Sequence, residues 1–415
     1  MVHFGGLWRN SDFLKLWAGH TISQIGSWIT LVGLPLTAAI LLKATPMQMG
    51  ILSGASAAAV LVFGLFAGVW ADRLRRRPIL IWADLGRAAV LATIPIAAAL
   101  HRLSMGHLVA AAAVTGVFTV FFDVSYQAYL PSLVSAERIL EGNSKMALSA
   151  SLAGVVGPGL TGVLIQTITA PVAILFDAVS FVVSALSVGL IRKPEPAPRP
   201  AASPHIGREI QEGLRACWRE PVLRAILLRT ATGSVFLGFA SSLYVLFAVR
   251  ELKLSALLLS AVIAVGGASD TFGALIAQRA VRRLGVGNAL IGAALVTGVA
   301  SLLPPLARGP VWTCAAILAL AQLGDMAWSI YSISELSVRQ AIAPKHVLGR
   351  VNSAMHLTFR GVLPLGALAG GALAEYVGLR PALLAGAAGF LLSNLWLIFS
   401  PVRHLRELPA PAPVS

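Results

Sequence analysis

Residues 51–77 read ILSGASAAAVLVFGLFAGVWADRLRRR. From Met47 to Ala71 no residue carries a charge. Asp72 and the arginines 73, 75, 76 and 77 then crowd together, and the chain turns apolar again at Ile79. About 20 consecutive apolar residues are the length of a helix that crosses the hydrocarbon core of a bilayer. Arginine packed into the short loop between two such runs is the mark of a cytoplasmic connection. This stretch therefore reads as two membrane spans joined by a tight basic loop.

The rest of the chain repeats the pattern. Of 415 residues, 57 % are hydrophobic and 12 % charged, and the mean hydropathy is +0.81. Soluble domains are about 25 % charged, so this chain lacks the polar surface to cover itself in water. A soluble enzyme, a disordered chain and a nucleic-acid-binding domain are excluded as first readings. The runs are long and nearly uncharged, unlike the roughly ten-residue alternating segments of a β-barrel. The fold class is an all-α membrane protein. Twelve spans are expected, at 16–42, 47–71, 79–100, 107–130, 146–168, 171–191, 222–249, 255–279, 287–307, 310–337, 349–374 and 379–400. The first run is too long for the h-region of a cleavable signal peptide. Cys217 and Cys314 form no CxxC, and no metal site or disulfide framework is expected.

Lys and Arg set the orientation. The net charge is +15; 23 of the 32 basic residues fall on the side of the termini and the even-numbered loops, and 6 on the other. That bias places both termini and the middle loop in the cytoplasm of a multi-pass protein of the cell (inner) membrane. The middle loop, 192–221, opens with a Pro-rich spacer, Arg192 to Pro200, and continues in Ile206, Ile210, Leu214 and Trp218, spaced by four. This spacing predicts an amphipathic helix at the inner membrane surface. The expected organisation is a first six-helix bundle over 1–191, the linker 192–221, a second bundle over 222–400 and a cytoplasmic tail, 401–415.

The halves echo each other. Leu140-Glu-Gly-Asn143-Ser144 returns loosely as Leu348-Gly-Arg-Val-Asn352-Ser353, Pro158 as Pro364, and Asp123 as Asp325. Two six-span repeats in parallel orientation, with a site near the bilayer midplane, form one transporter architecture.

The stretch Gly68-Val-Trp-Ala-Asp72-Arg73-Leu-Arg75-Arg76-Arg77 resembles the loop signature of the major facilitator superfamily, with Arg75 where that signature has its second Gly. The DRxxRR form fits the branch of the enterobactin exporter and macrolide-efflux-like proteins. So do Leu16-Trp17, Ile22 to Trp28, Asp84-Leu85-Gly86-Arg87 and Gln127-Ala128-Tyr129-Leu130-Pro131. Gly154-Val-Val-Gly157-Pro158-Gly159-Leu-Thr-Gly162 is similar to the GxxxGPxxGG element of antiporters and exporters, with Thr161 for one Gly. The resemblance implies a cytoplasmic gate made of Gly68, Asp72, Arg73, Arg76 and Arg77, with Asp123 meeting Arg76 or Arg77. It implies a bend in span five at Pro158. Read physically, Asp72 can cap the incoming helix, and Gly154, Gly157 and Gly162 form a face for close helix approach.

A charge at mid-membrane costs at least about 2.5–3.5 kcal/mol, so each one calls for a partner or a task. Asp84 and Arg87, three apart, are expected to pair locally. Asp177 falls in the external half of span six, and Asp270 and Asp325 in the inner halves of spans eight and ten. Arg360 lies roughly 16 Å into span eleven. Asp325–Arg360 is the favoured coupling pair, with Asp270 the other acid. Gln24 shares a face of span one with Trp17 and Trp28, a surface suited to an aromatic-tolerant substrate. His20 reads as an interfacial or satisfied histidine. Glu335 and Glu375, near span ends, read as solvated.

These readings favour a proton-coupled efflux antiporter exporting small amphipathic molecules, drug-like or siderophore-like, by alternating access. An uptake carrier, or a non-transporting receptor-like protein of the same fold, is the alternative. No Gly-rich phosphate loop is present, so an ion gradient is the expected energy source. A membrane enzyme would need a clustered His or carboxylate constellation. The expected partners are a small-molecule substrate, protons and lipid, with no nucleic acid, no cofactor and a monomeric chain.

Overall fold

A computed structural model describes residues 6–195, 206–344 and 347–405, and only the backbone at Val60, 65–73, Ala136, Ile206, Arg208 and Glu209. The first six spans are α1 (Ser11–Leu36), α2 (Pro46–Arg73), α3 (Arg76–Ala99), α4 (Met105–Leu133), α5 (Ile139–Ile168) and α6 (Ala170–Gly189). The linker helix is α7 (Ile206–Arg219). Then come α8 (Pro221–Arg250), α9 (Ala256–Leu284), α10 (Val286–Ala300) with α11 (Leu303–Leu306), α12 (Val311–Gln322) with α13 (Gly324–Ile342), α14 (Leu348–Val377), and α15 (Leu379–Leu392) with α16 (Leu395–Ile398). Twelve helical stretches are long and apolar enough to cross a membrane, and the described residues contain no strand.

Local sequence explains the ends. Asn10 caps α1, its Oδ1 accepting from the N–H groups of Asp12 and Phe13 at 3.1 Å. Three spans expected to be continuous are interrupted. Pro304 and Pro305, which donate no backbone hydrogen bond, follow the break between α10 and α11. At Leu323 neighbouring helices take over the broken backbone: Ser269 Oγ donates to Leu323 O at 3.1 Å and accepts from Met326 N–H at 3.2 Å. Near 393, Asn394 spends its side chain between helices rather than on solvent. Pro158, by contrast, sits inside an uninterrupted α5.

The chain divides into two compact units: Met1–Ala44 with Ala55–Pro204 and Ser255–Ala264, and Thr45–Gly54 with His205–Leu254 and Val265–Ser415. The repeat expected from sequence is visible in backbone detail. Lys43 (φ 50°) and Lys253 (φ 57°) turn the α1–α2 and α8–α9 connections. Ala44 N–H bonds Ala38 O at 2.9 Å, and Leu254 N–H bonds Ala248 O at 3.0 Å. Thr169 (φ 84°) and Gly378 (φ 91°) separate α5 from α6 and α14 from α15 in the same left-handed region.

In the first unit α1 and α6 approach along glycines. A Cβ at Gly19 would meet Ser187 and Ser184, one at Gly26 would meet Ser180 and Asp177, and one at Gly33 would touch Ile174. Seven-residue spacing keeps these glycines on one face of α1. The second unit does the same between α8 and α14, where a Cβ at Gly370 would lie 2.7 Å from Phe239.

The linker helix forms as expected but is seated on the second unit. Gly213 packs against the carbonyl of Arg350 on α14, and Glu212 pairs with Arg350 at 2.6 Å. Cys217 is fully buried in the core that includes Val222 and Val351. Leu214 and Trp218, two residues of the apolar stripe, are exposed at 38 % and 56 %; the side chain of Ile206 lies outside the described residues. The helix is thus two-faced, with a small-residue face docked and an apolar face open. Burial pushes the Cys217 thiol up to about 11, which keeps it unreactive. Gly213→Leu overpacks this seam, at a cost on the order of 1–3 kcal/mol. In a Cys314→Ala background it should speed labelling of Cys217 by maleimide roughly tenfold or more. Gly207→Leu, where no atom lies within 4 Å of the new Cβ, should not.

Candidate functional site

The first unit contains a buried polar cluster that joins residues far apart in sequence. Asp84 and Arg87, one turn apart on α3, form an ion pair; Asp84 is 0 % and Arg87 4 % exposed. This is the local pair expected from their spacing. Its setting was not expected. The guanidinium lies between the rings of Phe122 on α4, at 4.3 Å, and Phe181 on α6, at 4.0 Å. Aromatic faces on both sides replace part of the lost hydration of the cation.

Asp177 on α6 is also fully buried. Thr30 of α1 donates a hydrogen bond to its Oδ2, and Ser180 Oγ lies 3.1 Å from its Oδ1. Gly26, one turn before Thr30, leaves the room in which Ser180 and Asp177 sit against α1. Further along α1, His20 stacks on Tyr126 with centroids 4.0 Å apart, and its Nε2 lies 2.9 Å from Gln24 Nε2. Trp28 packs across α5: a Cβ at Gly157 would lie 2.6 Å from that of Trp28, and one at Gly154 would lie 3.8 Å from its ring. Gly162 faces Ser260 and Leu257 of the same unit, whereas Gly159 has no atom within 4 Å of the position of its Cβ. Pro158 is buried, and Thr161 Oγ1 donates to Gly157 O at 2.7 Å.

At the α2–α3 loop the side chains of Gly68, Asp72 and Arg73 lie outside the described residues. Among the described residues, the first N–H groups of α3 are met from beyond α6. Glu195, beyond α6, accepts from the N–H groups of Arg76 and Arg77 at 2.7 and 3.1 Å. The carboxylate thus meets the positive end of the α3 dipole. Arg77 turns to the other end of α6, donating to Val188 O at 3.2 Å and Gly189 O at 2.5 Å. The loop therefore ties the start of α3 to the end of α6. Asp123 is exposed on α4.

In the second unit Arg229, in the third turn of α8, is 3 % exposed. Its Nε donates to Asn394 Oδ1 at 3.1 Å, and its guanidinium lies 4.1 Å from the ring of Tyr331, with Trp328 and Phe390 at 5.5 and 5.2 Å. Asn394 in turn donates to Ala294 O at 3.0 Å. Glu335 is not solvated: α13 runs past it to Ile342, and it pairs with Arg339 at 3.5 Å. Sequence reading missed the roles of Asn394 and Tyr331, because each lies about a hundred residues or more from Arg229 and only packing brings them together.

The pairing of Asp325 with Arg360 is not found among the described residues. The break at Leu323 puts Asp325 in the first turn of α13, where its carboxylate lies against Gly266 beside Gln322. Ser329 donates to Asp270 at 2.6 Å, so α9 and α13 bring the two acids into one neighbourhood. Arg360 is exposed on α14, one turn from His356. The expectation assumed an unbroken tenth span, and the break turns its acid toward α9. No group of three or more His, Cys, Asp or Glu among the described residues could hold a metal ion.

Comparison with known proteins agrees with this architecture. The chain is 28 % identical over 414 residues to the multidrug efflux pump Tap of Mycolicibacterium fortuitum, covering 96 % of this chain and 97 % of Tap. It is 28 % identical over 220 residues to macrolide efflux protein A of Streptococcus pyogenes, covering 52 % of this chain and 53 % of that protein. The solved structure of the nucleoside transporter NupG covers 93 % of this chain and 98 % of its own, with a TM-score of 0.77 at 12 % identity, a likeness of fold. Residues 16–367 match the family model of the Major Facilitator Superfamily, and the chain belongs to that family of membrane transporters.

Proposed function

We propose that this transporter exports small amphipathic molecules, drug-like or siderophore-like, in exchange for protons, by alternating access between its two six-helix repeats. The observation that carries the reading is its end-to-end likeness to a multidrug efflux pump. The glycine face of α5 supports it, because a span that must change its packing benefits from a seam with little side-chain interlock. Asp270 and Arg360, exposed on α9 and α14, are the charged groups we assign to substrate, with Gln24 and Trp28 on α1. The 23-to-6 bias of basic residues supports a cell-membrane protein with both termini in the cytoplasm.

Three measurements test this reading. In liposomes with an imposed pH gradient, a panel of dyes, macrolides and siderophores should include compounds moved against their own gradient. Movement should stop when a protonophore collapses the pH difference, and flux indifferent to that collapse would overturn the coupling. For orientation, single cysteines replace Glu137 and Arg308 in a Cys217→Ala, Cys314→Ala background. An impermeant thiol reagent on intact cells should label position 308 and spare 137, and the reverse would invert the topology. Gly157→Leu drives a side chain into Trp28 and should lower export about tenfold or more, since overpacking costs on the order of 1–3 kcal/mol. Gly159→Leu, which meets nothing within 4 Å, should export normally at equal expression.

A further inference from the structure

Two carboxylates of the first unit are fully buried, Asp84 and Asp177, and they share one cation. Arg87 is ion-paired with Asp84. Asp177 holds hydroxyl groups only, those of Thr30 and Ser180. Arg87 and Asp84 are nonetheless close enough to act on Asp177 electrostatically.

Among the described residues the surroundings supply no second cation. Asp177 lies on α6, which packs against α1, α3 and α5. From α1 comes His20, stacked with Phe122 and Tyr126 and within electrostatic reach of Arg87, a setting that favours its neutral ring. The other charges of α1, Asp12 and Lys15, pair with each other at 2.8 Å at its start. From α3 come Asp84 and Arg87, while Arg76 and Arg77 lie at the helix start, where Arg77 serves the far end of α6. That end, Gly189, is about 18 Å along the axis from Asp177. The charges of α5, Glu141 and Lys145, pair with each other in its first turns. With Asp177 ionised, the buried set Asp84, Arg87, Asp177 carries a net negative charge inside the bundle. A charge so placed, without a counter-ion, takes up a proton instead of staying ionised.

We infer that Asp177, held by Thr30 and Ser180 beside the Asp84–Arg87 pair, is a proton-binding site, and that its proton is the one exchanged for substrate. This deepens the proton-driven efflux proposed above and rests on it. On uptake, a lone pair of the carboxylate binds the proton, and the new O–H donates to the hydroxyl oxygen of Thr30, which accepts as well as donates. On release, that O–H bond breaks, its electron pair stays on the carboxylate, and the proton passes to water. Thr30 and Ser180 then both donate to the ionised group. Arg87 Nε–H has no acceptor in the present arrangement and is the spare donor that ionised Asp177 can draw on. Proton release thus strengthens the attraction between α6 and α3, and uptake relaxes it.

The test uses the full-length protein. In nanodiscs, infrared difference spectra between acid and alkaline buffer follow the C=O band of protonated carboxyl groups. The band should lose its principal component in Asp177→Asn and keep it in Asp270→Asn and Asp325→Asn. Persistence in Asp177→Asn would overturn the assignment. In liposomes, Asp177→Asn should lose accumulation driven by a pH gradient, down to the level without one, and retain downhill exchange. Concentrative transport by this variant would also overturn the assignment. If the unsubstituted protein shows no proton-driven flux, the efflux reading fails on its own, and the coupling half of this inference with it; the spectra still decide the binding site. If Asp177→Asn does not fold, Gly26→Ala places a methyl group 2.7 Å from Asp177 Oδ1 and against Ser180. It should shift the midpoint pH of the band, and an unmoved midpoint counts against the site.

Discussion

The constraint on which the structure depends is the cost of an uncompensated charge among apolar helices. Removing one member of a buried ion pair costs roughly 3–5 kcal/mol, because the other is left without a partner. That penalty exceeds any single packing contact, so the helices are arranged around their buried charges. Asp84 is held by Arg87, and Arg87 by two aromatic rings from α4 and α6. These contacts fix α3, α4 and α6 against one another. Arg229 does the same in the second unit, where Asn394 and the rings of α13 and α15 surround it. Aromatic cages of this kind supply about 0.5–2 kcal/mol each where water is absent. The interruption at Ser393 and Asn394 follows: a side chain that must reach Arg229 and Ala294 at once is set at a bend.

Sequence revealed those features that depend on neighbours along the chain. Twelve spans and the linker helix follow from hydropathy, charge and spacing, all local properties. The Asp84–Arg87 pair was legible because three residues put two side chains on one helix face. The Thr30–Asp177 bond was not, because 147 residues separate its partners and only the packing of α1 on α6 brings them together. The contact of Glu195 with the start of α3 was hidden for the same reason. Glu195 arrives from beyond α6 to accept the α3 amides of Arg76 and Arg77, more than a hundred residues earlier. The pairing of Asp325 with Arg360 failed at a finer level. Hydropathy detects a span but not an interruption inside it, and one residue out of register redirects a side chain by about a quarter turn.

The linker shows how one helix can carry two patterns. The four-residue spacing of apolar side chains drew attention to Leu214 and Trp218, which remain open. The docking face is written in small residues, Gly213 and Cys217, which a hydropathy pattern passes over. Close approach to the carbonyl of Arg350 needs the absence of a side chain more than the presence of one.

The two repeats share backbone geometry and differ in charge. Their loops carry matching left-handed residues at Lys43 and Lys253, and at Thr169 and Gly378. Their interiors are near opposites. The first buries two carboxylates, Asp84 and Asp177, around one guanidinium. The second fully buries one guanidinium, Arg229, in whose electrostatic reach lies Glu335, paired with Arg339. An excess of carboxylate can be relieved by a proton, whereas an excess of arginine cannot be relieved by losing one, because guanidinium stays charged at any accessible pH. On the proposed reading, a fold built from two similar halves sets a proton-binding carboxylate in one interior and a fixed charge, Arg229, in the other. A proton exchanged at Asp177, as proposed above, would bias two packings of the same architecture by changing the charge of the first half.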